Sequence, residues 1–283
     1  MLRYSAFADG PEGGNPAGVV LDAAGLGERE MLEIAREVGY SETAFVTEEG
    51  ARDPAGPARF GVRYFSPAAE VPFCGHATVA LAAALAARTG PGAYVFGTAA
   101  GEVALDTVAD AAGTVSVSFT SVDTRTRPFG GAPLRELLGL LGLAPDDLDP
   151  AFPPLESFAG NWHPMLVLKD RGLFHQFRFA PREVARLMRE RGWTGTVTVL
   201  SVRGPHEYEA RNLFPVGRIT EDPATGSAAA STGAYLRAIG RAEPGDRVVI
   251  RQGAHVGRPS VLVVDVPARG GVTVTGGAIP IDG

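Results

Sequence analysis

The sequence predicts an α+β chain built from two similar β-rich domains, each wrapped on one helix. Three observations carry that prediction. An eight-residue pattern, E-x-P-x-[C/T]-G-[H/S]-A, starts at Glu70 and recurs at Glu221. Each copy follows an R-x-[F/L]-x-P stretch, Arg63 to Pro67 and Arg211 to Pro215, and each runs into an alanine-rich segment of helical character. The length of 283 residues divides near its middle into halves of ordinary domain size, each long enough to bury its own core. The first domain is expected over residues 1–122, completed by the tail 272–283, and the second over 123–271.

Leu2 to Phe7 has strand character, and Asn15 to Leu21 is a turn entering another strand. Glu28 to Val38 places Met31, Leu32, Ile34, Ala35 and Val38 at helical spacing, with Gly39 as the stop. Thr43 to Thr47 and Phe60 to Phe65 read as strands leading to the first motif and a helix over His76 to Arg88. Strands follow near Tyr94 to Thr98, Val103 to Asp106 and Val115 to Phe119. Polar and Pro/Gly residues break the pattern at Thr124 to Pro128, where the second half begins. Leu134 to Leu141 is a short helix, Pro150 to Pro154 a loop, Met165 to Leu168 a strand, and Pro181 to Arg191 a helix with Pro in its first turn. Val197 to Val202 and Glu207 to Leu213 lead as strands to the second motif. Its helix spans Ser227 to Ile239, and the tail from Val248 to Ile281 is β-rich.

Composition excludes several classes. Apolar residues make up 45% and charged residues 20%, with no charge blocks, so disorder and fibrous structure are disfavoured. A net charge of −6 without a basic cluster argues against nucleic-acid and anionic-membrane partners. Lys169 is the only lysine, which disfavours Schiff-base chemistry. The start of the chain lacks a signal-peptide core and the longest apolar run, Ala77 to Ala87, is too short to span a bilayer, so a cytoplasmic location is expected.

The repeated joint carries the functional expectation. A Gly turns the backbone, and the residues after it open a helix whose N–H groups and positive dipole end form an anion site. One such start from each half, facing across a cleft, would hold a small carboxylate-bearing molecule. Glu42, between a helix end and an apolar strand, suits a general acid or base if desolvation raises its pKa; it equally suits a solvated turn residue. His76 and Asp222 stand at the two helix starts, as hydrogen-bond or proton-relay groups or as ordinary caps. Ser227 offers a hydroxyl to an anion. Cys74 matches Thr225 in the second copy, and as the single cysteine it excludes a two-thiol racemase; it is expected to be a small buried residue. The five histidines show no H-x-x-x-H pair and no dinucleotide or phosphate loop is present, so neither metal nor nucleotide is expected. The glycine-rich stretch Gly13 to Gly18 is a loop first and a ligand contact second.

Taken in order, Gly14 to Ala17 (GNPA), Ser41 to Phe45 (SETAF), Arg63 to Pro67, Glu70 to Thr78, Glu221 to Ala228, and Gln252-Gly253 with Gly257 to Ser260 resemble the signature blocks of the PhzF family of phenazine-biosynthesis-type isomerases. The blocks extend over nearly the whole chain. The resemblance implies a diaminopimelate-epimerase-like fold: two pseudo-symmetric domains, each a curled, mostly antiparallel sheet around a central helix. It implies a homodimer and a cofactor-independent proton transfer of the kind that isomerises trans-2,3-dihydro-3-hydroxyanthranilate. It makes Glu42 the acid/base, adds His76 and Asp222 to the catalytic set, and assigns Asn15, Gly75, Thr225, Gly226 and Ser227 to substrate binding. Two positions depart from the family pattern: Ser5-Ala6-Phe7 lacks an acidic residue before the aromatic, and Leu213 replaces an aromatic. A binding protein without turnover and a racemase or epimerase using non-thiol groups are the alternative readings.

Overall fold

The computed structural model describes residues 1–50, 56–111, 113–217 and 219–281, so the last two residues of the predicted tail lie outside the described residues. The chain forms two compact units, Met1–Thr120 with Thr275–Gly283, and Ser121–Val274. Along the first run β1 (Leu2–Ala6), β2 (Asn15–Val20), α1 (Glu28–Val38), β3 (Glu42–Glu49), β4 (Ala58–Phe65), β5 (Glu70–Val71), α2 (Gly75–Thr89), β6 (Ala93–Thr98), β7 (Gly101–Ala109) and β8 (Val115–Thr120). The second contains β9 (Arg125–Pro128), α3 (Gly131–Leu140), β10 (Leu155–Phe158), β11 (Trp162–Leu168), α4 (Arg171–Gln176), α5 (Pro181–Arg191), β12 (Val197–Gly204), β13 (Glu207–Leu213), β14 (Glu221–Asp222), α6 (Gly226–Ala238), β15 (Arg247–Gln252) and β16 (Ser260–Asp265). The last strand, β17 (Thr273–Pro280), returns to the first unit.

In the first unit the strands follow one another as β17, β1, β2, β3, β4, β6, β7 and β8. Pairing of β8 with β17 closes the ring. The pairs β2–β3 and β4–β6 are parallel, and helices α1 and α2 make those two crossovers. Crossover α1 has one apolar stripe, Met31, Ala35 and Val38, which packs outside the sheet with Phe45 and Phe65 while its other face stays wet. Crossover α2 is buried along its whole length from His76 to Ala86 and packs against β1, β2, β3, β7 and β8, so it fills the ring. Six alanines among those buried residues keep the helix thin enough for an eight-stranded enclosure, whose interior has room for little more than side chains.

The second unit repeats the plan. Its strands follow as β9, β10, β11, β12, β13, β15 and β16, with β11–β12 and β13–β15 parallel. Helix α6 is buried on all sides and touches β9 and β16, the two ends of that series, as well as β10 and β11. Gly233 lets it approach: a Cβ there would lie 2.7 Å from a methyl of Val264. On the outside, α3 and α5 cover a core of Leu137, Leu166, Phe174, Val184, Leu187, Met188 and Trp193.

The predicted helix Pro181 to Arg191 and strand Glu207 to Leu213 coincide with α5 and β13. The break expected at Thr124 to Pro128 is instead an exposed strand, β9, whose partner β10 supplies the pattern its own side chains lack. Strand β10 and the single turn of α4, which begins under the Asp170 cap, carry too few periodic residues to be read from sequence.

Candidate active site

The paired motifs first explain themselves as architecture. Arg63 in β4 forms a fork with Glu70 in β5, Nε–Oε1 2.7 Å and Nη2–Oε2 2.6 Å. Glu70 holds the Arg63 guanidinium above its usual range, and that guanidinium holds the Glu70 carboxyl below the ordinary carboxylate value. Arg211 in β13 grips Glu221 in β14 in the same way. Burial separates the copies: the Arg211 side chain is 4% exposed against 32% for Arg63, lies 3.8 Å over the Phe177 ring, and donates to the carbonyls of Phe174 and Phe177. Each fork pins a short strand immediately ahead of a buried helix start.

At the first start Cys74 is the N-cap of α2 in extended conformation, and no side chain caps the helix. Thr78 folds back to donate to the Cys74 carbonyl at 2.7 Å and accepts from the Tyr64 hydroxyl at 2.6 Å, so β4 fixes the turn. Enclosure in the barrel pushes the Tyr64 hydroxyl pKa upward, keeping it a neutral donor.

Three side chains converge here. Glu42, the first residue of β3, brings Oε2 to 3.4 Å from His76 Nε2 and 3.5 Å from Cys74 Sγ. Cys74 Sγ lies 3.4 Å from His76 Nδ1. Asn15, buried at the head of β2, places Nδ2 3.2 Å from His76 Nδ1, and Ser41 places Oγ 3.2 Å from Nε2. With the Asn15 amide donating, Nδ1 accepts, and the ring proton sits on Nε2 facing Glu42. Gly14 makes this possible. Its φ of 79° suits glycine, and a Cβ would fall 2.5 Å from Ser5 Oγ. The Glu42 side chain keeps 21% of its surface open, so it is walled on one side and accessible on the other. Cys74 corrects the expectation of a small buried residue: it is partly exposed and its sulfur lies beside both Glu42 and His76.

The second start carries Asp222, Thr225, Gly226 and Ser227. Thr225 is the N-cap of α6, again without a side-chain cap. Asp222 Oδ2 accepts the Thr225 hydroxyl at 2.5 Å. Gln252 clamps the turn, donating to the Asp222 carbonyl at 2.6 Å and to Thr225 Oγ1 at 3.0 Å while accepting the Thr225 amide at 3.2 Å. The adjoining Gly253 is obligatory, because its φ is 82° and a Cβ would lie 2.1 Å from the Arg258 carbonyl oxygen.

Ser227 has a partner that the sequence did not single out. His163 is fully buried in β11 with Nε2 3.2 Å from Ser227 Oγ. Thr196 holds the other side of the ring: His163 Nδ1 lies 3.0 Å from the Thr196 amide nitrogen and 3.1 Å from the Thr196 carbonyl and hydroxyl oxygens. Burial lowers the His163 pKa to about 4, which keeps the ring neutral near pH 7. Ser227 is therefore held against a neutral, fully buried ring. The signal available beforehand was weak: a histidine in an apolar strand.

A strand ring closed on a buried alanine-rich helix, with its polar groups gathered at the helix start and the plan repeated in one chain, defines the diaminopimelate-epimerase-like class. Over residues 4–283 the chain matches the phenazine biosynthesis-like family, PhzC-PhzF, and belongs to it. An uncharacterized isomerase of Deinococcus radiodurans is 38% identical over 95% of this chain and 88% of that protein. The trans-2,3-dihydro-3-hydroxyanthranilate isomerase of Pseudomonas chlororaphis is 29% identical over 93% of this chain and 89% of its own length. Among solved structures, a predicted epimerase from Pseudomonas aeruginosa superposes with a TM-score of 0.82 at 27% identity, covering 100% of this chain and 98% of that one. A probable proline racemase shares the fold with a TM-score of 0.63 at 14% identity. The chain is thus an isomerase of the PhzF family.

Proposed function

We propose that this isomerase moves a proton within a small carboxylate-bearing metabolite without a cofactor, with Glu42 as general acid and base. The carrying observation is the 3.4 Å approach of the half-open Glu42 carboxylate to the buried His76 imidazole. Glu42 takes a proton from one carbon of the substrate, the electrons shift into the adjoining π system, and the same carboxyl returns the proton to another carbon. His76, held by Asn15, donates from Nε2 to the oxygen on which charge develops. The uncapped start of α2 at Gly75 suits a substrate carboxylate through its amides, and the uncapped start of α6 at Gly226 offers amides of the same kind. Asp222, fixed by Thr225, takes an amino or hydroxyl group, and Ser227 donates its hydroxyl. Family resemblance supports trans-2,3-dihydro-3-hydroxyanthranilate as the first substrate to try, together with a homodimeric, cytoplasmic enzyme. Among the described residues no helix is long and apolar enough to cross a membrane.

Deuterium incorporation from D₂O into that compound and a panel of small amino and hydroxy acids tests the reading. Wild type should label one carbon position, and Glu42→Gln should lose about 10²–10⁴ in exchange rate while remaining folded. Substantial exchange by Glu42→Gln would refute Glu42 as the base.

A further inference from the structure

We propose that His163 is a positioning residue for substrate binding, one that holds the Ser227 hydroxyl where an oxygen or nitrogen of the substrate is received. The proposal rests on Ser227 binding substrate, as read above, and not on the identity of the base. Ser227 is part-exposed at the α6 start, and behind it the ring is fully buried with Nε2 3.2 Å from the hydroxyl oxygen. The chain is shaped to admit that ring. Gly195 leaves open the space that a Cβ would take 2.3 Å from it, and Thr196 closes on Nδ1 with its amide at 3.0 Å and its carbonyl and hydroxyl oxygens at 3.1 Å. Thr196 is tied in turn: its hydroxyl donates to Asn212 Oδ1 at 2.6 Å, which also accepts the Thr198 hydroxyl at 2.7 Å. A connected run from β13 through the entry to β12 and on to β11 therefore ends in one accessible group, the Ser227 hydroxyl. Burying an imidazole costs free energy that an apolar side chain of similar size would not, and packing alone does not call for it.

The internal repeat supports the same role. Val197 pairs with Leu213, which follows Arg211 by two residues, just as Thr43 pairs with Phe65, which follows Arg63 by two. Thr196 thus stands where Glu42 stands in the first unit, and by the motif Ser227 stands where His76 does. In the first unit the imidazole belongs to the helix start itself, and His76 reaches Glu42 directly at 3.4 Å. In the second the helix start carries a short serine, and the His163 ring from β11 fills the interval between Ser227 and Thr196. Each unit therefore sets one imidazole between corresponding positions. His163 differs in being sealed from solvent and neutral near pH 7, so it orients its neighbour and takes no part in proton transfer.

Two variants separate holding the serine from filling the core. The side-chain amide of His163→Asn can still meet Thr196 but ends short of Ser227, whereas the longer amide of His163→Gln reaches toward the Nε2 position. With whichever acid wild type labels in D₂O, His163→Asn should raise KM about tenfold, the worth of one well-placed hydrogen bond, and leave kcat within about twofold. His163→Gln should recover most of the loss. Adding Ser227→Ala to His163→Asn should bind no more weakly than Ser227→Ala alone, because His163 acts through that hydroxyl. Losses that add in the double variant overturn the proposal, as does a fall in kcat at unchanged KM, or equal weakening by Asn and Gln. A spectroscopic measurement needs no substrate. In full-length protein with ¹⁵N-labelled histidine rings at pH 7, the His163 signals are those missing from His163→Gln, and Ser227→Ala should shift the Nε2 resonance. An unmoved resonance overturns the contact on which the role depends. Because that shift is read without turnover, failure of the proton-transfer reading is told apart from failure of this one.

Discussion

Replacing Gly195 with alanine should destabilise the protein, against the usual trend for such a change, and the reason is one imidazole. Gly195 does not occupy the left-handed backbone region, so an alanine there would ordinarily add about 0.4–1 kcal/mol by restricting the unfolded chain. Its Cβ, however, would lie 2.3 Å, 2.4 Å and 2.6 Å from three ring atoms of His163. The ring is fully buried, bound by the Thr196 amide and by Ser227, and has nowhere to retreat. Forcing extra volume into such a core costs about 1–3 kcal/mol, and stranding the buried Thr196 amide a further ~1–3 kcal/mol. The net expectation is a loss of about 1–6 kcal/mol. Urea denaturation followed by tryptophan fluorescence measures it, because both tryptophans, Trp162 and Trp193, lie in the second unit near this ring. The decisive comparison is a double-mutant cycle with His163→Ala, in which Gly195→Ala should become neutral or stabilising. Coupling below about 0.5 kcal/mol, the level of ordinary additivity, would refute the packing argument.

Three further outcomes follow from the same geometry. Because the folded-state pKa of His163 is depressed to about 4, its neutral form contributes stability that is fully present above about pH 6.5 and drains away as pH falls toward 4. Comparing wild type with His163→Gln across that window should show an additional acid-side loss on the order of 3 kcal/mol in wild type alone; parallel pH profiles would contradict the assignment. Arg211→Ala should cost about 3–5 kcal/mol, since it strands Glu221 in the interior, whereas Arg63→Ala at the more open counterpart should cost about 1 kcal/mol or less; equal losses by thermal melting would show that burial is not what separates the copies. Gly253→Ala combines a positive φ with a Cβ 2.1 Å from a carbonyl oxygen and should destabilise the chain. A normal melting temperature would remove Gly253 as the brace of the Gln252 clamp.

The sequence disclosed most where periodicity and chain chemistry coincide. Helix α1 was readable because its apolar stripe ends at Gly39, and α2 and α6 because alanine runs follow a repeated Gly turn. The candidate residues Glu42, His76, Asp222 and Ser227 stand out because they fall in recognisable blocks. What escaped reading depends on partners distant in the chain. The exposed strand β9 exists because β10 pairs with it. Cys74 looks like filler until β3 sets a carboxylate beside it, and His163 looks like a core residue until α6 delivers Ser227 to its ring. The Arg–Glu forks belong to the same group: the residues repeat visibly, but that they grip each other is a fact about strand pairing.

The ring of the first unit is sealed by β17, which pairs with β1 and β8 and accepts the Phe7 amide at the Gly277 carbonyl. During synthesis, then, the N-terminal barrel emerges from the ribosome with one stave missing and must wait for the entire second unit before it can close. Its helix, chosen thin and apolar for enclosure, spends that interval behind two unpaired strand edges, a state open to misassociation. Folding of this half is therefore timed by the far end of the chain, and a nascent chain halted before β17 would be expected to depend on chaperones in a way that the completed protein does not.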